Sequence, residues 1–207
     1  MIFQDKKDLL SLYNAVNQSH YENPEELEIT TLDNVLYMGM KNDLSFLVDS
    51  ILNLYEAQST WNPNMPLRGL AYFSRMYSGY VASRKLDIYS KTRIPLPEPR
   101  YLVFYNGTKD EPELLELRLS DSFIKKPARE KKAPCLECIA TVININWGHN
   151  QELMAQCRRL YEYAFLIDQI RKGLAGGLTL EGAIDQGIGV CLKEGILTEF
   201  LTRHQGR

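Results

Sequence analysis

Alternation of apolar and polar positions is clearest between Lys41 and Ser59, KNDLSFLVDSILNLYEAQS. Asp43, Ser45 and Leu47 alternate with Leu44, Phe46 and Val48, the two-residue period of a strand. Asp49-Ser50 are turn formers. Leu52, Leu54, Glu56 and Gln58 then alternate with Asn53, Tyr55 and Ala57. A two-residue loop at Asp49-Ser50 sets Val48 against Ile51, and counting outward sets Asp43 against Glu56 and Lys41 against Gln58. Directly opposed residues project to one side with Cβ atoms roughly 4.5–5.5 Å apart. Two carboxylates that close repel each other unless a cation lies between them, and a divalent ion is the usual solution.

The rest of the chain predicts helices and strands around this hairpin. Residues 4–17 place Leu9, Leu10, Tyr13 and Val16 at helical spacing. Residues 18–28 read as a polar loop and 29–38 as a strand ended by Gly39. The loop Thr60–Pro66 launches a helix over about 65–82, with a proline near its first turn. Ile94–Pro99 reads as extended, and Tyr101–Tyr105 as a strand buried on both faces before an Asn106-Gly107 turn. Residues 108–134 read as a charged loop and Leu136–Ile145 as a second strong strand. A long helix over 150–172 ends at Gly173 and Gly176-Gly177, and a last amphipathic helix runs from Thr179 to Phe200. The order predicts a mixed α/β domain, its central sheet flanked by helices.

Composition narrows the class. The chain has 207 residues, 44% hydrophobic and 24% charged, the balance of an ordinary globular domain. A net charge of −2 leaves any nucleic-acid affinity to a local patch. Four cysteines are too few for a disulfide scaffold, and residues 1–20 are polar and amphipathic, unlike a signal peptide. No apolar run approaches the ~18 residues that span a membrane. A cytoplasmic protein with reduced thiols is the expectation.

Other residues carry weaker chemistry. Cys135-Leu-Glu-Cys138 has the CxxC spacing, but no second pair follows to complete a zinc site. His149, after Trp147-Gly148, reads as a cap or packing residue before a helix rather than as a base. Arg68 and Arg75, seven apart, share a helix face, which suits either a DNA backbone or pairing with acids. The basic clusters Lys125-Lys126 and Arg129–Lys132 offer a second phosphate contact or a solvated surface. No Ser/His/Asp arrangement and no Gly-rich phosphate loop is legible.

The arrangement resembles the PD-(D/E)xK nuclease superfamily, and more narrowly the Rpn-type recombination-promoting nucleases, also described as PD-(D/E)xK nuclease family transposases. The residues that carry the resemblance are Asn42-Asp43-Leu44-Ser45-Phe46, Tyr55-Glu56-Ala57-Gln58-Ser59, the Met65-Pro66-Leu67-Arg68 helix start with Tyr72, and Val103-Phe104-Tyr105-Asn106-Gly107. It covers roughly the whole chain and is least specific over the last two helices.

The resemblance implies a restriction-endonuclease-like fold over residues 1–172 with a helical appendage over 173–207. It also implies hydrolysis of DNA phosphodiester bonds with Mg²⁺, or Mn²⁺ or Ca²⁺, held by Asp43, Glu56 and the backbone carbonyl of Ala57. Gln58 stands at the position of the superfamily's lysine, as in Rpn-type sequences, and an amide supplies neither charge nor proton. Lys41, opposite Gln58 in the expected hairpin, is then the candidate cation. Arg68 and Arg75 are the candidate DNA contacts, and the apolar C-terminal helix offers a surface for a homodimer. The rival expectation is a non-enzymatic DNA-binding or protein-interaction module on the same fold.

Overall fold

Asp5 opens the first helix by accepting a hydrogen bond from the backbone N–H of Lys7 at 2.7 Å. The helix, α1 (Lys6–Asn17), buries Leu9, Leu10, Leu12 and Tyr13. The structure, a computed structural model, describes residue 3 and residues 5–29, 44–124 and 133–204. Two compact units emerge, one of residues 26–143 and one joining residues 1–25 to 144–207.

The first of these units is built on a sheet. β1 (Glu28–Ile29), β2 (Leu44–Val48) and β3 (Ile51–Gln58) run antiparallel in turn. Asp49 and Ser50 join β2 to β3 with φ of 47° and 64°, the two positive values of a type I′ turn, whose twist suits a two-residue hairpin. The register is the one that loop dictates, from Val48↔Ile51 to Leu44↔Tyr55. The helix α2 (Met65–Ser83), with Pro66 in its first turn, leads from β3 to β4 (Glu98–Tyr105), which lies parallel to β3. A parallel pairing of consecutive strands requires such a helical crossover. β5 (Leu114–Arg118) and β6 (Ile139–Asn144) pair antiparallel and complete a mixed six-stranded sheet in the order β1-β2-β3-β4-β6-β5.

β4 lies inside that sheet, and Tyr101 to Tyr105 are all buried, as a strand covered on both faces requires. α2 covers one face. Its Met65, Tyr72, Phe73 and Met76 meet Leu52 and Leu54 of β3, Tyr101, Val103 and Tyr105 of β4, and Ala140 and Val142 of β6 in a single core. Glu56 and Gln58 continue the Leu52-Leu54 row, so the strand period carries them onto this same α2-covered face.

In the second unit Cys157, with φ −123° and ψ 89°, interrupts the helix expected over 150–172, giving α3 (Gln151–Gln156) and α4 (Arg158–Ala175). The residue boundary 172/173 thus falls inside α4. The helix expected from Thr179 to Phe200 is also two, α5 (Leu180–Lys193) and α6 (Thr198–His204). Gly195 at φ 70° ends the former, with Ile196 N–H donating back to Cys191 C=O at 2.8 Å, a left-handed glycine stop. Gly187 of α5 lies so close to α4 that a Cβ would come within 2.9 Å of Ile170 Cγ1.

Two expectations for the sheet change. The charged segment 108–134 holds β5, and the strand placed at 136–145 is confined to 139–144. Of the strand expected at 29–38, Ile29 belongs to β1, and the remainder lies outside the described residues.

Candidate functional site

Among the described residues Glu56 is the one carboxylate placed on the α2-covered face with the core row, and it is fully buried, 0% exposed. An isolated buried charge costs several kcal/mol, so its neighbours decide its state. They come from three elements. Gln58, two residues along β3, donates from Nε2 to Glu56 Oε1 at 2.9 Å. Tyr101 on β4 donates its phenol to Glu56 Oε2. Arg68, one turn into α2, sets its guanidinium Nη2 against Glu56 Oε1 as an ion pair. Each placement follows from local structure. Tyr101 shares the face of Glu56 because it is the register partner of Leu54, two positions away. Arg68 reaches the end of β3 because Pro66 starts α2 there, only a short loop after Gln58.

Tyr72, one turn further along α2, supports Arg68. Its hydroxyl lies 3.1 Å from Arg68 Nη2, its ring centroid 5.8 Å from the guanidinium carbon. Met65 Sδ lies 3.8 Å from Nη1. The guanidinium is thereby held on both sides. Its side chain remains 28% exposed, so the cation keeps contact with solvent while the acid does not.

Protonation follows burial. Desolvation pushes the carboxyl of Glu56 above the usual carboxylate range, opposed by the hydrogen bond from Tyr101, the charge of Arg68 and the amide of Gln58. Burial first, and then the adjacent carboxylate, push the phenol of Tyr101 far above its ordinary value, so it remains a donor. The described partners of the acid are thus one cation, one phenol and one amide, which between them engage both carboxylate oxygens.

The sequence-derived candidates separate into groups. Glu56, Gln58 and Arg68 come together. Ala57 is exposed on the alternate side of β3, and Arg75 is exposed on α2. Lys41 and Asp43, and the basic clusters at 125–126 and 129–132, lie outside the described residues. Cys138 is half-buried and Cys135 exposed, and both are free thiols. Tyr101 was legible only as part of a continuous apolar run, and Tyr72 only as a residue of the helix start that carries the resemblance. The signal for Tyr101 was a phenol two positions before the residue opposite Glu56, which emerges only once the β3–β4 register is known.

Beyond Gln58 the face continues to Tyr105, its register partner on β4. The Tyr105 hydroxyl accepts from Lys109 N–H at 3.0 Å, and its ring meets Trp61 edge-on at 5.7 Å. Lys109 Nζ stands 4.8 Å over the Trp61 ring and pairs with Glu111 at 2.5 Å. A second cation therefore stands by the strand ends, held by a ring and an acid.

Divalent-metal chemistry asks for two or more hard oxygen donors that are free to turn to the ion. Among the described residues no group of three or more His, Cys, Asp or Glu side chains is placed to hold one. Of the described acids Glu56 stands at the site, with both oxygens engaged by Gln58, Tyr101 and Arg68. Asp43, the other acid expected to hold Mg²⁺, lies outside the described residues. No helix among the described residues is long and apolar enough to cross a membrane. No family model, no curated protein and no solved structure matches the chain.

Proposed function

We propose that the chain is a metal-dependent DNA endonuclease that hydrolyses phosphodiester bonds, a reading linked through the resemblance to recombination or mobile-element biology. One observation supports it above the rest: Arg68 stands against the Glu56–Gln58 face. Gln58 leaves that face without the superfamily's lysine, and a guanidinium from α2 supplies the charge there. Arginine is suited to the task, because its planar fork pairs bidentately with carboxylate or phosphate and it does not deprotonate.

In this reading Arg68, partly open to solvent, meets the scissile phosphate. Gln58 orients a reacting water or substrate through its amide. Tyr101 fixes the rotamer of Glu56 from below. Asp43, Glu56 and the carbonyl of Ala57 are the proposed ligands of Mg²⁺, with Mn²⁺ and Ca²⁺ as substitutes, and Lys41 a further cation. When bound, the ion would polarise the phosphate and acidify a water. The deciding experiment is cleavage of plasmid and oligonucleotide DNA with Mg²⁺, Mn²⁺ and Ca²⁺, beside Asp43→Ala, Glu56→Ala, Arg68→Lys and Lys41→Ala. The expected result is loss of cleavage in both acid variants. Metal-dependent cleavage that survives Glu56→Ala overturns the reading.

The closure of the Glu56 carboxylate favours a second reading, a DNA-binding or protein-interaction module on the same scaffold without chemistry. Here Arg68 and Glu56 form a structural pair. A thermal shift with Mg²⁺ or Mn²⁺ that disappears in Glu56→Ala separates the two. Absence of any shift together with absence of cleavage favours the module.

A further inference from the structure

The unit of residues 1–25 and 144–207 contains a cavity of about 310 Å³ with mostly apolar walls, outside the Glu56 cluster. Trp147, Met154 and Tyr161 line it, with His149 and Gln151 as its polar members. Trp147 and Tyr161 are large aromatics left 39% and 40% exposed, when burial of such rings is the usual outcome. Their centroids stand 5.1 Å apart, and Phe165 props Trp147 from behind at 5.1 Å and 70°. The platform is therefore fixed rather than a loose surface ring.

His149 adds a polar point to these walls. Its Nδ1 is buried, and no group among the described residues partners it. Buried nitrogen of this kind carries a desolvation cost until something bonds to it. Gly148, at φ 94°, delivers the histidine there, and a Cβ at Gly148 would meet nothing within 4 Å, so this rim is open.

An open cavity with an exposed aromatic pair and a histidine in its wall suits a flat heteroaromatic group with polar edges. Every nucleobase has such a face and edge. Arg158 precedes Tyr161 by one turn on α4 and keeps 83% of its side chain exposed while its Nε holds Glu162. Its exposed side chain is a cation one helical turn from Tyr161, available to a phosphate attached to such a base.

We propose that this cavity binds an unpaired nucleobase of single-stranded nucleic acid, stacked on Trp147 with the tilted Tyr161 ring beside it and hydrogen-bonded at its edge by His149. The site needs neither Glu56 nor a metal. It would give a nuclease, or a non-cleaving module, a preference for unpaired strands.

The test is fluorescence anisotropy of the full chain with a labelled oligothymidylate and with an abasic strand of equal length, in EDTA so that nothing is cut. The base-bearing strand should bind about tenfold tighter or more. Trp147→Leu and His149→Phe should abolish that difference, and Trp147→Phe should keep much of it. Equal binding of the two strands, binding of neither, or an unchanged preference in Trp147→Leu overturns the proposal. If circular dichroism shows Trp147→Leu unfolded, His149→Phe and Gln151→Ala decide by the same criterion. Capture of an aromatic peptide without any base preference also overturns it and assigns the cavity to a protein partner. Cleavage with Mg²⁺ but no base preference removes this proposal alone, and base preference without cleavage removes the nuclease reading alone.

Discussion

The phenol of Tyr101 donates to the buried carboxylate of Glu56 from the neighbouring parallel strand, two register positions from the residue directly opposite. That bond leaves Arg68 as the only cation against the acid among the described residues, and it arrives from the covering helix rather than from the sheet. Sheet and helix are thereby joined through one charge pair at the end of β3. The pair has consequences whether or not the chain cuts DNA.

Removing Arg68 leaves a buried, unmatched carboxylate. Arg68→Met should destabilise the protein by about 3 kcal/mol near neutral pH, in the range for breaking a buried pair from one side. The loss should depend on pH in a definite direction. Burial already holds the folded value of Glu56 above that of an unfolded chain, so its stability contribution is full below the ordinary carboxylate range and is lost as pH rises through the raised value. Without Arg68 that value rises further. Urea unfolding of wild type and variant should therefore show a larger gap at about pH 8 than at about pH 4.5. A gap that does not change with pH means that Glu56 is not ionised beside Arg68.

The two partners should not be equal in cost. Glu56 is fully buried, whereas the Arg68 side chain keeps 28% of its surface and a second partner in Tyr72. Glu56→Gln leaves the guanidinium with solvent and a hydroxyl, and should cost about 1–2 kcal/mol. The double variant should cost less than the sum of the singles by about 2 kcal/mol, the coupling expected of contacting charges. Strict additivity in the cycle means that the pair contributes nothing of its own.

Much of this arrangement could be read before any fold was known, because the informative residues lie close in sequence. Asp49-Ser50 fixed the hairpin register, and the described strands keep it from Val48↔Ile51 to Leu44↔Tyr55. The helix over 65–82 and the strand over 101–105 were legible from periodicity and from a continuous apolar run. β5 was not, because Glu116 and Arg118 made it resemble a charged loop. Yet Leu115 and Leu117 alternate with them, as an edge strand with one half-buried face should. The break at Cys157 carries no glycine or proline to announce it. Arg68 and Arg75 looked equivalent because spacing alone cannot tell which of two arginines on one helix face lies above the end of a strand.

Gly69 tests how tightly the acid's second partner is held. A Cβ there would come within 2.5 Å and 2.6 Å of Tyr101 Cε1 and Cδ1, and 3.2 Å of Cys138 Sγ. Alanine in the middle of a helix normally gains up to about 1 kcal/mol over glycine. Here overpacking should win, because the obstructing atoms belong to a buried ring rather than to the end of a flexible chain. Gly69→Ala should lower stability by about 1–3 kcal/mol and disturb the Tyr101–Glu56 bond. Thermal melting measures the first effect. Ultraviolet titration of the tyrosines measures the second, with one phenol ionising more readily than in wild type. A stabilised Gly69→Ala protein shows that the helix stands further from β4.

Ser50 offers the opposite sign. It holds φ at 64° in the hairpin turn, a conformation that costs a side-chain-bearing residue and costs glycine almost nothing. Its carbonyl accepts from Glu98 N–H at 2.9 Å, a backbone bond that a substitution keeps. Ser50→Gly should therefore stabilise the protein by about 0.5–1 kcal/mol, after allowing for the freer unfolded chain. Ser50→Val should destabilise it, since a β-branched residue resists positive φ. The comparison bears on the site, because the two-residue turn sets which residues of β2 and β3 oppose one another, and so which face Glu56 occupies. A one-residue slip would turn Glu56 away from Arg68 and Tyr101. If Ser50→Gly melts no higher than wild type while Ser50→Val is tolerated, the turn is not of the I′ form and the register must be held elsewhere.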